Sequence, residues 1–165
     1  MQILSIKELK YKIKNNEIGV GIYVIMSTST DEKLKEIKKK LVLNYNDNYR
    51  DFTIKHAKQI KKFIKKVKDF NNLYIVCDYG ISRSSGICAA LSKILYNNNF
   101  DIWNDPRYTP NAYIYKTLLK AFKIEITENE LQEKVDINKK ALEKAIKGRW
   151  KRGITPLFLR SKMRF

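Results

Sequence analysis

Leu73-Tyr74-Ile75-Val76-Cys77-Asp78-Tyr79-Gly80-Ile81-Ser82-Arg83-Ser84-Ser85-Gly86, running on into Ile87-Cys88-Ala89-Ala90-Leu91, decides how this chain is read. The apolar run 73–76 reads as a buried strand, 78–82 as a tight polar loop, and Arg83 as the first turn of a helix. A cysteine at the strand end, with an arginine after five intervening residues, suits a nucleophile that must grip an anion. Loop N–H groups from Asp78, Tyr79, Gly80, Ile81, Ser82 and Arg83 can turn inward on one oxyanion. The helix N-terminus adds partial positive charge, and the guanidinium offers a planar fork for two oxygens. The same field favours a thiolate at Cys77.

Working outward, the flanking chain alternates strand and helix. Gln2–Leu4 reads as a first strand, and Ser5-Ile6-Lys7-Glu8 is a capping box for a helix over 5–15. The apolar run Gly19–Met26 predicts a central strand, Thr30 or Asp31 caps a lysine-rich helix through Lys39, and Leu41–Leu43 is a short strand. Turn formers fill 44–52. Thr53 then opens an amphipathic helix to Val67, with apolar residues from Ile54 to Val67 on one side and lysines on the other. Downstream, the signature helix is expected over 83–96 and a loop over 101–108. Thr109-Pro110 starts a helix to Phe122, and Thr127–Glu130 caps one to Lys147 with a break near 136–138. The reading is α/β: a central, mostly parallel twisted sheet flanked by helices, with a catalytic unit at 1–124 and a helical, basic extension at 125–165.

The 165 residues suit one domain with a real core, and 44% hydrophobic residues exclude a disordered chain. No apolar run nears the roughly 20 residues of a membrane span, and the N-terminus lacks a basic-then-apolar leader, so a cytoplasmic protein is expected. Two cysteines and one histidine give no metal-site spacing, and no cofactor is implied. Cys88 reads as core filling and His56 as a surface or structural residue. The net charge of +17 lies mainly outside the loop segment: residues 1–70 carry 17 basic and 8 acidic side chains, residues 71–125 carry 6 and 4, and residues 126–165 carry 11 and 5. That excess reads either as solvated lysine faces or as a field steering anionic substrates.

Cys77-x5-Arg83 followed by Ser84 resembles the signature loop of the cysteine-dependent protein tyrosine phosphatase superfamily. With the loop in mid-chain, it looks like the dual-specificity-type and small bacterial or phage members. The low-molecular-weight branch carries its loop near the N-terminus, and rhodanese-like loops are commonly shorter and lack the Arg-Ser ending. The stretch Tyr108-x-Pro110-Asn111 with Tyr115-x-x-Leu118-Leu119 is similar to the segment after the signature helix in small bacterial members.

The resemblance implies metal-independent phosphomonoester hydrolysis. Cys77 would form a phosphocysteine, residues 78–83 and Arg83 would hold the phosphoryl oxygens, and Ser84 would hydrogen-bond the sulfur. Gly80 is expected to allow an unusual backbone angle and Gly86 a close approach of helix to sheet. Asp78 is expected to face away and fix the loop. In the family the general acid is an aspartate about thirty residues upstream. Asp47, 30 residues before Cys77, fits best, with Asp51 as competitor. One departure is plain: Val76 stands where the family usually has a histidine.

Phosphorylated protein, phosphotyrosine first, is the expected partner. The absence of lysine between Cys77 and Arg83 argues mildly against multiply phosphorylated inositol lipids. An RNA 5′-phosphatase and a phosphate-binding pseudophosphatase are the alternatives. The tail 147–165, with seven basic residues, no acidic one, Trp150 and Phe158, offers nucleic acid or an anionic membrane a surface, set against a packed or solvated tail.

Overall fold

The computed structural model describes residues 1–19, 21–28, 34, 37–45 and 51–150. Asp47, the Thr30/Asp31 cap with most of its helix, and the tail beyond 150 lie outside the described residues. Four strands, β1 (Gln2–Ser5), β2 (Tyr23–Thr28), β3 (Lys39–Asn44) and β4 (Leu73–Cys77), form one parallel sheet in the order β1-β4-β2-β3. Helices α1 (Ile6–Lys14), α2 (Ile54–Ile64), α3 (Arg83–Tyr96), α4 (Phe100–Trp103), α5 (Ala112–Ala121) and α6 (Glu128–Trp150) complete the chain.

All three strand pairings are parallel, and both faces of the sheet are buried. Alternate residues of the central strands serve opposite cores: Tyr23, Ile25, Leu73 and Ile75 join the larger cluster under α2, α3 and α5, while Val24, Met26, Tyr74 and Val76 join a smaller one with Leu4, Ile6 and Leu9. Burying each such aliphatic contributes about 1.5–3 kcal/mol. All five residues of β4 are buried. The strand that carries Cys77 therefore lies inside the molecule, and only its C-terminal end reaches the loop.

Local rules set most element ends. Ser5 caps α1 through the reciprocal Ser5–Glu8 box, and Thr127 pairs with Glu130 in the same way before α6. Several expectations need correction. Lys39 begins β3 rather than ending a helix. Residues 100–103 form the short α4, whose Trp103 is 1% exposed and stacks edge-on against Tyr115. The cap of α5 is Asn111, whose side chain accepts from Ile114 N–H, rather than Thr109. No break interrupts α6: Asn138 turns inward and donates to the Trp103 and Tyr108 carbonyls, so a residue that reads as a breaker ties α6 to the loop after α4.

Candidate active site

The loop 78–82 leaves β4 at Cys77 and enters α3 at Arg83, and each of its bends has a physical cause. Gly80 has φ +68°, the left-handed region that costs glycine little. A Cβ there would lie 2.7 Å from Ser5 N and 2.9 Å from Leu4 C, so the loop rests directly on the β1–α1 junction. Ser85 ties the loop from within, donating to the Ile81 and Ser82 carbonyls. From outside, Thr109 N–H reaches Ile81 O at 3.1 Å and Asn111 N–H reaches Ser82 O at 3.2 Å. Gly86 does permit a close approach, but to a different partner than expected: its Cβ would meet the Asn111 backbone at 2.8 Å, not the sheet.

Inside this frame Cys77 is 2% exposed, and its Sγ lies 3.1 Å from Ser84 Oγ. Arg83 is equally buried. Its guanidinium donates to Asp78 Oδ2 at 2.5 Å and to the Tyr45 carbonyl at 3.3 Å. Asp78 thus does not turn away: its carboxylate engages the arginine. Among the described residues, the N–H groups of Tyr79, Gly80, Ile81 and Ser82 donate to no protein acceptor, while Tyr79 is 78% exposed at the loop crest. Unengaged N–H groups beside a helix N-terminus, a fixed guanidinium and a thiol with a hydroxyl neighbour form an arrangement that can hold a tetrahedral oxyanion against sulfur.

Sequence reasoning missed the support beneath. Ser27 faces Cys77 in the β2–β4 register and is fully buried, and its hydroxyl donates to Tyr45 OH. Tyr45 in turn packs edge-on against Phe52 at 5.4 Å and stacks on His56 at 5.2 Å. The polar step from Met26 to Ser27 at the end of an apolar strand is the only local signal of it. His56 closes a capping box by accepting Thr53 N–H at Nδ1, and burial followed by the Lys55 charge holds its pKa below the usual value. Asp51 is half-buried and, among the described residues, makes no ion pair. Cys88 is 4% exposed in the large core, and burial pushes its pKa up to about 11. Among the described residues no cluster of His, Cys, Asp and Glu could hold a metal, and no helix is long and apolar enough to cross a membrane.

Solved structures similar to this chain carry phosphatase names. PTPMT1 in complex with PI(5)P aligns at 16% identity over 87% of this chain and 91% of that chain, with a TM-score of 0.44. The human tyrosine phosphatase-like serine/threonine/tyrosine-interacting protein aligns at 18% identity over 81% and 85%, with a TM-score of 0.42. The Yvh1 phosphatase domain from Chaetomium thermophilum aligns at 15% identity over 76% and 80%, with a TM-score of 0.39. No family model and no curated protein matches the chain.

Proposed function

We propose that the protein hydrolyses phosphomonoesters through a cysteinyl-phosphate at Cys77, with phosphotyrosine in protein as its first substrate class. The observation that carries this reading is the convergence at one loop of a thiol, a hydroxyl 3.1 Å from it, and a buried arginine at a helix N-terminus. Tyrosine specificity rests on the resemblance of the Cys77–Ser84 loop to the tyrosine phosphatase superfamily.

In the first step the Cys77 thiolate attacks phosphorus, the bond to the leaving oxygen breaks, and that oxygen takes a proton from a carboxylic acid. Asp47 is the proposed donor and Asp51 its competitor. Loop N–H groups and Arg83 hold the three equatorial oxygens, binding them more tightly as charge builds in the transition state. In the second step water attacks phosphorus and gives its proton to the same carboxylate. The S–P bond breaks, and the Ser84 hydroxyl stabilises the departing thiolate.

Turnover of a chromogenic aryl phosphate in chelator tests the reading. Wild type should be active and Cys77→Ser inert; equal inertness of both would end the enzyme reading and leave a phosphate-binding module. Asp47→Asn should slow an alkyl or tyrosyl phosphate by about 10²–10⁴, as for loss of a general acid, and an activated ester far less. Equal slowing of the two would remove Asp47 from that role. Ser84→Ala should slow intermediate breakdown, seen as a burst of phenol release before a reduced steady rate.

A further inference from the structure

Helix α2 carries Lys55, Lys58, Lys62 and Lys65, all exposed, with Lys65 as its C-cap still in right-handed helical conformation. At about 100° per residue the four project within an arc of about 80°, and at a rise of 1.5 Å they span about 15 Å along the axis. Ala57, Ile60 and Ile64 of the same helix are buried in the core. Lys61, between the two faces, is spoken for: it donates to Ala121 O and lies over the Phe122 ring. The remaining four form no ion pair or hydrogen bond among the described residues, and the sequence from Phe52 to Lys68 contains no carboxylate. Like charges spaced three and four residues apart destabilise a helix, so this face opposes the fold that presents it.

We propose that this lysine face binds the phosphate backbone of nucleic acid. An axial interval of about 5 Å lets each ammonium meet a different phosphate, since one strand of a duplex carries a charge about every 3.4 Å along its axis. The face suits such a partner better than the two other polyanions. An anionic membrane is normally bound by a helix that also inserts its apolar side, whereas Ala57, Ile60 and Ile64 of α2 are buried in the core and its exposed apolar residue, Ile54, stands at the first turn. An acidic protein would need apolar anchors at the centre of its contact, and this arc has none. It also has no aromatic platform, so recognition is of backbone charge and not of base sequence. The face leads to the loop: α2 begins beside Phe52, which packs on Tyr45, whose carbonyl holds Arg83.

The test is fluorescence anisotropy of the full chain with a labelled 20-nucleotide single strand and the matching duplex, both lacking a terminal phosphate, titrated across salt. Binding therefore stands or falls apart from the hydrolytic reading. Lys58→Gln/Lys62→Gln/Lys65→Gln removes three contacts, which should make the slope of log K against log salt shallower by about 2 for the single strand, at about 0.7 per phosphate. Lys7→Gln/Lys10→Gln/Lys14→Gln on α1 removes the same charge from exposed lysines elsewhere and should change the slope by less than about 0.7, one phosphate contact. Circular dichroism melts check that both variants fold. Equal effects of the two triple variants, or no effect of the α2 variant, overturn the proposal and leave a solvated face. If the α2 variant loses binding only to vesicles containing phosphatidylserine, the partner is a membrane and the proposal also fails.

Discussion

A Gly80→Ala substitution puts one methyl group where the loop has no room for it. Gly80 sits at φ +68°, and the added Cβ would lie 2.7 Å from Ser5 N and 2.9 Å from Leu4 C. Both are backbone atoms, fixed by the pairing of Leu4 and Ser5 with Val76 and Cys77 and by the Ser5–Glu8 capping box, so neither yields as a flexible side chain would. The left-handed backbone costs alanine about 1 kcal/mol, and an overpacked contact costs about 1–3 kcal/mol. A total of about 2–4 kcal/mol lowers Tm by roughly 4–16 °C in a domain of this size. The strain is relieved only if the loop lifts from β1, which carries its N–H groups away from Cys77. Misplacement by about 1 Å is worth about 10² in rate, so kcat/KM for an aryl phosphate should fall by that order at a temperature where the variant is folded. Thermal melts followed by circular dichroism, with steady-state rates at about 25 °C, read both effects. Gly19→Ala, whose Cβ meets nothing within 4 Å, is the control and should change stability by no more than about 0.5 kcal/mol. If Gly80→Ala melts with the control and keeps its kcat/KM, the loop does not depend on its seat against β1 and the reasoning is wrong.

Asp78→Asn removes the carboxylate that engages the buried Arg83. Breaking a buried pair costs about 3–5 kcal/mol, and the partial exposure of Asp78 puts the loss near the low end. Inorganic phosphate, no longer competing with that carboxylate, should then raise Tm more in the variant than in the parent; equal shifts would remove the competition. His56, held below its usual pKa by burial and then by Lys55, accepts Thr53 N–H with a lone pair that protonation occupies. Its contribution is present above the unfolded value of about 6.5 and lost as pH falls through the lower folded value. Tm should therefore drop on acidification below about pH 6.5, and His56→Gln, which keeps a capping-box acceptor, should flatten that drop; parallel profiles would exclude the device. The Cys88 thiol, pushed up to about 11 by burial, stays protonated in the fold after the unfolded chain has ionised near about 8.5. Stability is thus full below about 8.5 and lost as pH rises towards about 11, and Cys88→Ala should flatten this alkaline limb while lowering overall stability slightly. An unchanged alkaline slope would count against it.

Whatever has a local cause is legible in the sequence. The strand 73–77, the helix starting at Arg83 and the boxes at Ser5 and Thr127 all come from apolar runs and caps only a few residues long. The wrong readings share the opposite property. Residues 101–103 read as loop because their helix is four residues long and is held by Trp103 packing on Tyr115, across the fold. Asn138 reads as a breaker because its reason to stay helical is a pair of carbonyls 30 and 35 residues away. At the site the same division holds. Cys77, Arg83 and Ser84 are close in sequence and can be read together. Tyr45, which supports the arginine, and Ser27, which lies beside the cysteine strand, come from just past the end of β3 and from β2, and the strand order β4-β2-β3 is encoded by no local pattern.

Val76 shows how a departure from a familiar motif can be absorbed. In the superfamily that the loop resembles, a histidine at this position helps hold the loop by hydrogen bonds. Here the side chain is fully buried in the smaller core with Leu4, Val24 and Met26, a setting where an imidazole would lack polar neighbours. The constraints on the loop come from other places. Gly80 is wedged against Leu4 and Ser5, Ser85 holds the Ile81 and Ser82 carbonyls, and the backbone of Thr109 and Asn111 holds the same two carbonyls from outside. Asp78 and the Tyr45 carbonyl fix the guanidinium. Each of these contacts acts on a carbonyl, a side chain or a Cα of the loop, and none uses the N–H groups of residues 79–82. A loop held through its carbonyls leaves these N–H groups unengaged by the protein, while the residue before the cysteine packs the core.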